Sequence, residues 1–368
     1  MPLRKEDILA SLAAVATPDG SSLPRSGRLS EIVLSDGKVF FSISADAGAV
    51  PQWEPVRRAA EAAVKALPGV ASVMVALTAE RPAAAGPARP QARRPPAGGP
   101  SGVPGVKSII AVASGKGGVG KSTTAVNLAL GLRDLGLTVG MLDADIYGPS
   151  IPKLLAVREK PQTLGGTRLK PISTHGLSVM SIGFLVDEET PMIWRGPMVI
   201  SALTQMLREV EWGTLDVMVV DMPPGTGDAQ LTMAQQVPLA GAVIVSTPQD
   251  LALIDARRGI AMFRRVDVPV LGVVENMSYF VCPHCGGRSD IFGHGGARHE
   301  AERLGVPFLG EIPLHLAIRE ASDSGRPVVA SEPDGPHAGA YRRVAEAVWS
   351  ELQAKTASRP APRIVIEA

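Results

Sequence analysis

The chain has 368 residues, more than one ordinary domain holds, so two domains with connecting segments are expected. Hydrophobic residues make up 45% and charged residues 20%, the balance of a chain with a sizeable core, and 37 basic against 36 acidic side chains leave a net charge of +1. That neutrality gives no electrostatic case for a nucleic-acid or membrane partner. No secretory pattern opens the chain and no apolar run approaches the roughly 18 residues of a membrane span, so a cytoplasmic location is expected.

Residues 1–80 read as a small α+β domain. Residues 6–15 have helical spacing, 29–34 and 38–43 read as strands, and Ser35-Asp36-Gly37 between them signals a hairpin. Residues 53–67 predict an amphipathic helix and 70–77 an alternating strand. No catalytic constellation falls here. Residues 81–105 are Pro, Ala, Gly and Arg with almost no large apolar side chain. Such a segment cannot bury enough surface to offset chain entropy and predicts a solvated linker.

Over residues 106–354 strands and helices alternate, followed by a short tail at 355–368. Apolar runs at 108–114, 138–142, 177–182, 216–221, 241–246, 270–274 and 307–310 are β-branched and nearly continuous, as in strands covered on both faces. The pattern predicts an α/β fold, a doubly wound and mostly parallel sheet with right-handed crossovers, binding its ligand beyond the carboxyl ends of the strands.

The first of these runs leads into Gly115-Lys116-Gly117-Gly118-Val119-Gly120-Lys121-Ser122-Thr123 and then a helix over 124–135. Gly115, Gly120, Lys121 and Ser122 match the phosphate-loop pattern G-x-x-x-x-G-K-[ST]. Its glycines let backbone amides turn around phosphate oxygens, the helix N-terminus adds a positive dipole end, Lys121 neutralises β/γ oxygens and Ser122 ligates Mg²⁺. A glycine-rich turn alone is often only a tight connection; the strand–loop–helix context sets this one apart. With Lys116, the string resembles the deviant Walker A family of ATPases, which includes septum-placement, plasmid-partition, nitrogenase iron-protein and iron–sulfur carrier members.

That resemblance implies a P-loop NTPase sheet in which Lys116 reaches across a dimer interface to the partner's nucleotide. It implies Asp145 as the hydrolytic switch aspartate and Asp143 nearer the magnesium shell. It further implies Asp221 as the Walker B type acid and Gly225 as a γ-phosphate amide donor. Lys116, Lys121 and Asp145 form the expected catalytic set. One strand-end aspartate is as often a helix cap; two in one sheet beside a P-loop are not readily coincidence. No N-K-x-D string occurs, whereas Asn276 and Pro313 of Glu311-Ile312-Pro313 match the family's base contacts, so ATP is the expected nucleotide.

The chain's two cysteines, Cys282 and Cys285, lie in a loop-like C-P-H-C-G-G insertion. Four readings compete: a zinc knuckle completed by His284, His294 and His299, a redox dithiol, an idle pair, and a [4Fe–4S] cluster. A cluster usually takes four thiolates, which two copies of the chain would supply on a two-fold axis. Ligand chemistry leaves cluster and zinc level.

The segments SGKGGVGKST, DADIYGPS, WRGPM, DMPPGTGD, ENMSYFVCPHCG and FLGEIP together resemble the Mrp/ApbC group of iron–sulfur cluster carrier ATPases over residues 106–348. The N-terminal unit is similar to the small iron–sulfur assembly domain that many bacterial members carry. The resemblance implies a homodimer that binds and slowly hydrolyses ATP, assembles a [4Fe–4S] cluster between paired Cys282 and Cys285, and passes it from cluster donors to apo iron–sulfur client proteins. The N-terminal unit has no cysteine, so partner docking is its expected role. The rivals are a MinD/ParA-like positioning or partition ATPase, which needs no cysteines, and a zinc-stabilised regulatory ATPase. The stripe Tyr341, Val344, Ala345, Val348 and Leu352 lacks a cationic face and is expected in the core rather than on a membrane.

Overall fold

The computed structural model describes residues 4–357 apart from 31, 36–37, 47–48, 71, 81–101, 165–167 and 186–195. The hairpin tip at 36–37, most of the expected linker, Trp194 with Arg195, and most of the tail therefore lie outside the described residues. The chain divides into two compact units, residues 1–95 and 96–368, each with its own buried apolar cluster.

In the first unit, α1 (Lys5–Leu12) begins where the Arg4 amide donates to the Asp7 carboxylate at 3.0 Å, and it buries Ile8 and Leu12. β1 (Val33–Ser35) and β2 (Lys38–Asp46) pair antiparallel, as their spacing predicts. Val39, Phe41, Ile43 and Ala45 alternate inward along β2. α2 (Val50–Lys65) lays Trp53, Val56, Ala60 and Val64 on the same core and returns the chain, so that β3 (Ser72–Glu80) pairs parallel with β2. The strand expected over 29–34 is split. Val33–Ser35 form β1, while Leu29 makes a single bridge to Ile43, the Ser30 amide donates to the Ser42 carbonyl and the Ser42 amide donates to Ser30 Oγ, both at 2.8 Å; residue 31 lies outside the described residues.

The second unit opens with β4 (Val106–Ala113), α3 (Lys121–Asp134), β5 (Val139–Asp143), α4 (Ile151–Leu154), β6 (Ile172–Thr174) and β7 (Leu177–Ser181). It continues through α5 (Gly196–Arg208), β8 (Leu215–Asp221), α6 (Asp228–Gln236), β9 (Gly241–Ser246), α7 (Asp250–Arg265) and β10 (Val270–Glu275). A ribbon of β11 (Phe280–Val281) and β12 (Arg288–Ser289) follows, then α8 (Gly296–Leu304), β13 (Phe308–Glu311), α9 (Leu316–Asp323), α10 (Val328–Ser331) and α11 (Pro336–Ala357). The main sheet has eight strands in the order β13-β10-β9-β4-β8-β5-β7-β6.

All seven expected strands are present and parallel to their neighbours; β6, too short and polar to read from sequence, adds an antiparallel edge. From β4 the chain crosses first to one side of the sheet and, after β8, to the other. Right-handed crossovers of opposite travel put α3 and α7 on opposite faces and open a crevice beyond the end of β4, where the order reverses. α3 is buried almost all round, with Ala125, Val126, Leu128, Ala129, Leu130 and Leu132 inaccessible, because it lies between the sheet and α11. The stripe Tyr341, Val344, Ala345, Val348 and Leu352 of α11 is fully core. Among the described residues no helix is long and apolar enough to cross a membrane.

Candidate functional site

The loop after β4 fills the switch-point crevice. Gly118 and Gly120 have φ of +82° and +79°, a left-handed conformation that side chains resist, and through them the chain turns directly into α3. The helix starts at Lys121, three residues earlier than the sequence pattern suggests. Lys121, Ser122 and Thr123 therefore occupy its first turn, whose backbone amides lack helical partners and suit an anion. A Cβ on Gly115 would lie 2.2 Å from the Asp255 carbonyl group, so the loop seats against the backbone of α7.

Two carboxylates approach one ammonium, and a third, Asp143, is the cross-strand partner of Asp221. Lys121 Nζ donates to Asp221 Oδ1 at 2.6 Å, lies 4.0 Å from Asp145 Oδ2, and is 3.1 Å from Ser122 Oγ. Asp143 and Asp221 end adjacent strands and are wholly buried; the Asp221 carbonyl takes the Ala144 amide at 2.9 Å, locking the strand ends together. Asp143 accepts from the Ile151 amide at 3.1 Å, Ser181 Oγ at 2.9 Å and the Asp145 amide at 3.2 Å. Burial, then the neighbouring Asp221 charge, push Asp143 up to about 7. Burial also raises Asp145 and Asp221, against the pull of Lys121. Asp221 Oδ2 is buried without a hydrogen-bond partner. Excess buried negative charge, an orphan carboxylate oxygen and a hydroxyl at a helix start together fit a hydrated divalent cation beside a phosphate.

The remaining expected residues border this centre. Asn276 Nδ2 donates to the Val119 carbonyl at 2.8 Å, and a Cβ on Gly120 would meet that amide nitrogen at 2.2 Å. Pro313 is buried beside Asn276, where Ile312 donates to the Glu275 carbonyl at 2.9 Å and accepts from the Ser278 amide at 3.0 Å. The Gly225 amide donates to the Ser114 carbonyl at 2.9 Å, so contact with a phosphate requires that bond to open. Lys116 is half-buried, and its carbonyl accepts from Ser114 Oγ at 2.9 Å. Sequence reasoning missed Ser181, which supports Asp143, and Glu275 with Ser278; each is an ordinary polar residue whose role exists only through a remote partner.

Cys282 and Cys285 stand apart from the phosphate loop, at the tip of the β11–β12 ribbon. What the sequence suggests as a loop is a short hairpin: Phe280 pairs with Ser289 and Val281 with Arg288. The Cys282 amide donates to the Gly287 carbonyl and the Gly286 amide to the Cys282 carbonyl, both at 2.9 Å, closing a tight knuckle. The His284 and then the Cys285 backbone amides point at the Cys282 sulfur and hold its thiol below the usual range. Cys282 is half-buried and Cys285 exposed. Among the described residues no group of three or more His, Cys, Asp or Glu side chains has metal-holding geometry. His294 is engaged elsewhere, 3.1 Å from Ser278 Oγ and 2.9 Å from the Arg288 guanidinium.

Fold and site together define a P-loop NTPase with a deviant phosphate loop and a separate thiol knuckle. Residues 105–349 match the family described as NUBPL iron-transfer P-loop NTPase, and residues 5–93 match that of the iron–sulfur cluster assembly protein. The chain belongs to the NUBPL iron-transfer P-loop NTPase family. It is 56% identical over 252 residues to an iron–sulfur cluster carrier protein of Escherichia coli, covering 68% of each chain. It is 44% identical over 359 residues to one from Synechocystis, covering 95% of this chain and 98% of that one. Among solved structures it resembles a nucleotide-binding protein of Archaeoglobus fulgidus in complex with ADP, with a TM-score of 0.56 and 41% identity over 64% of this chain and 91% of that one. The cell-division ATPase MinD of Pyrococcus furiosus, at 23% identity and a TM-score of 0.51 over 66% of this chain and 98% of that one, shares the fold.

Proposed function

We propose that the protein is a homodimeric, ATP-binding iron–sulfur carrier that takes a [4Fe–4S] cluster as cargo and delivers it to apo-protein clients. The observation that carries this reading is the exposed knuckle. It presents two thiols per chain, one of them held toward the thiolate by backbone amides, on a P-loop NTPase whose relatives are named cluster carriers. Two thiolates per chain and two chains supply the four that a cluster usually takes.

Toward Mg-ATP the chain's own groups divide the work. Lys121 would neutralise phosphate oxygens, and Ser122 with Asp221 would hold a hydrated Mg²⁺, which would supply further charge neutralisation. Asp145 orients water, Asn276 and Pro313 border the base, and Lys116 crosses to the partner's nucleotide. Positioning groups alone act on the phosphate, so turnover is slow and serves to reset the dimer.

Anaerobic reconstitution with iron and sulfide tests the reading, with iron and dimer content measured together. Wild type should bind about four irons per dimer with broad visible absorption, and a Cys282→Ser/Cys285→Ser variant none. Equal iron uptake by both proteins, or stoichiometric zinc in the purified wild type, would overturn it.

A further inference from the structure

Glu275, the last residue of β10, is a wholly buried carboxylate that neither site uses. Its Oε1 accepts from Ser278 Oγ at 2.6 Å and the Gly295 amide at 2.9 Å, and its Oε2 from the Ala297 amide at 2.6 Å. A buried charge is tolerated only when satisfied in this way. The bonds clamp three segments at one point: the end of β10, the turn that leads to the thiol ribbon, and the N-terminus of α8.

Contacts continue outward on both sides. Ser278 Oγ is 3.1 Å from His294 Nδ1, and Arg288 lies 2.9 Å from the same ring nitrogen while stacking over Tyr279 at 4.2 Å. Arg288 is a β12 residue and the register partner of Val281, which precedes Cys282. In the other direction Asn276, next to Glu275, holds the phosphate-loop carbonyl of Val119. Phosphate loop, strand end and thiol ribbon are thus joined by polar contacts at Asn276, Glu275, Ser278 and Arg288, linked through the backbone of neighbouring residues and the ribbon register.

We propose that Glu275 and Ser278 are positioning residues through which the state of the phosphate loop sets the orientation of the ribbon carrying Cys282 and Cys285. The inference rests on the nucleotide and thiol reading above. A ligand shifts a conformational equilibrium only through contacts that differ between its states. Here the contact that differs is Asn276 to Val119: a nucleotide that reshapes the loop moves or releases the Val119 carbonyl. Asn276 and Glu275 share the strand end, so the change reaches Ser278, His294 and Arg288, and with them the base of the knuckle.

The test is the alkylation rate of Cys282 and Cys285 by iodoacetamide in the full-length, iron-free protein, read by mass spectrometry with and without Mg-ATP. Binding of a fluorescent ATP analogue and the melting temperature are measured on the same samples. Wild type should shift its rate at least about fivefold on nucleotide binding. Ser278→Ala and His294→Ala should bind nucleotide as wild type does and lose the shift. His294→Gln, which keeps a polar head between Ser278 and Arg288, should retain it, an outcome that a merely structural role does not produce. Bound nucleotide with unchanged alkylation in wild type, or a full shift in both alanine variants, overturns the coupling and leaves the nucleotide site standing. A wild type that binds no nucleotide overturns both.

Discussion

Lys121 carries one positive charge among three buried or nearly buried carboxylates, and that imbalance governs what single substitutions do. Lys121→Met should abolish nucleotide binding and also leave Asp221 without its ion partner. Removing one member of a buried pair typically costs about 3–5 kcal/mol. The raised carboxyls take up protons as pH falls, which relieves the uncompensated charge. Urea denaturation should therefore show a larger loss at pH 8 than at pH 5, and an equal loss at both would refute the assignment. A second residue-scale effect concerns His337, whose ring lies 4.2 Å from that of His315. Burial, then His315, lower its pKa against the opposing pull of Glu332. The folded protein keeps this ring neutral while the unfolded chain protonates below the ordinary value of 6.5. The resulting stability is present above that pH and is lost as pH falls. His337→Gln should flatten the acid side of a melting-temperature profile relative to wild type.

Between elements, packing and exposure separate stability from function. Gly131 of α3 faces α11 so closely that a Cβ would sit 2.8 Å from the Ala345 methyl. Gly131→Leu overpacks this contact and should cost about 1–3 kcal/mol in urea melts, weakening the helix that presents Lys121 and Ser122. The β11–β12 ribbon is the opposite case. Its cysteines are exposed or half-buried and bridge no core elements. Cys282→Ser/Cys285→Ser should change stability by less than about 0.5 kcal/mol while abolishing iron uptake. A large loss of stability in that variant would point to a structural role for the pair.

At the scale of the whole molecule, the two units' buried cores share no residue among the described residues, which favours each folding by itself. A protein lacking residues 1–95 should keep the melting transition and nucleotide affinity of the second unit, measured by calorimetry. Loss of either would show that the first unit contributes to the site. Client delivery, by contrast, should fall if the first unit docks partners.

Much of this was legible before folding. Seven parallel strands, the phosphate loop and the strand-end aspartates follow from β-branched runs and glycine spacing, because local sterics and burial on both faces demand those residue types. The bond from the Ser42 amide to Ser30 Oγ was not, since it joins residues 12 apart that meet only once β2 pairs. Nor was β6, whose three residues gain a partner only at the sheet edge. The phosphate-loop pattern and the thiol pair are encoded by neighbours in the chain and so were legible in the sequence by itself, which left cluster and zinc level at that pair. Tertiary structure alone decided which charges and dipoles face one another: that Lys121 rests on Asp221, 100 residues away, and that Glu275 takes the Gly295 and Ala297 amides, 20 and 22 residues away. Those contacts join residues remote in sequence, and their energies arise only once burial removes water from both partners.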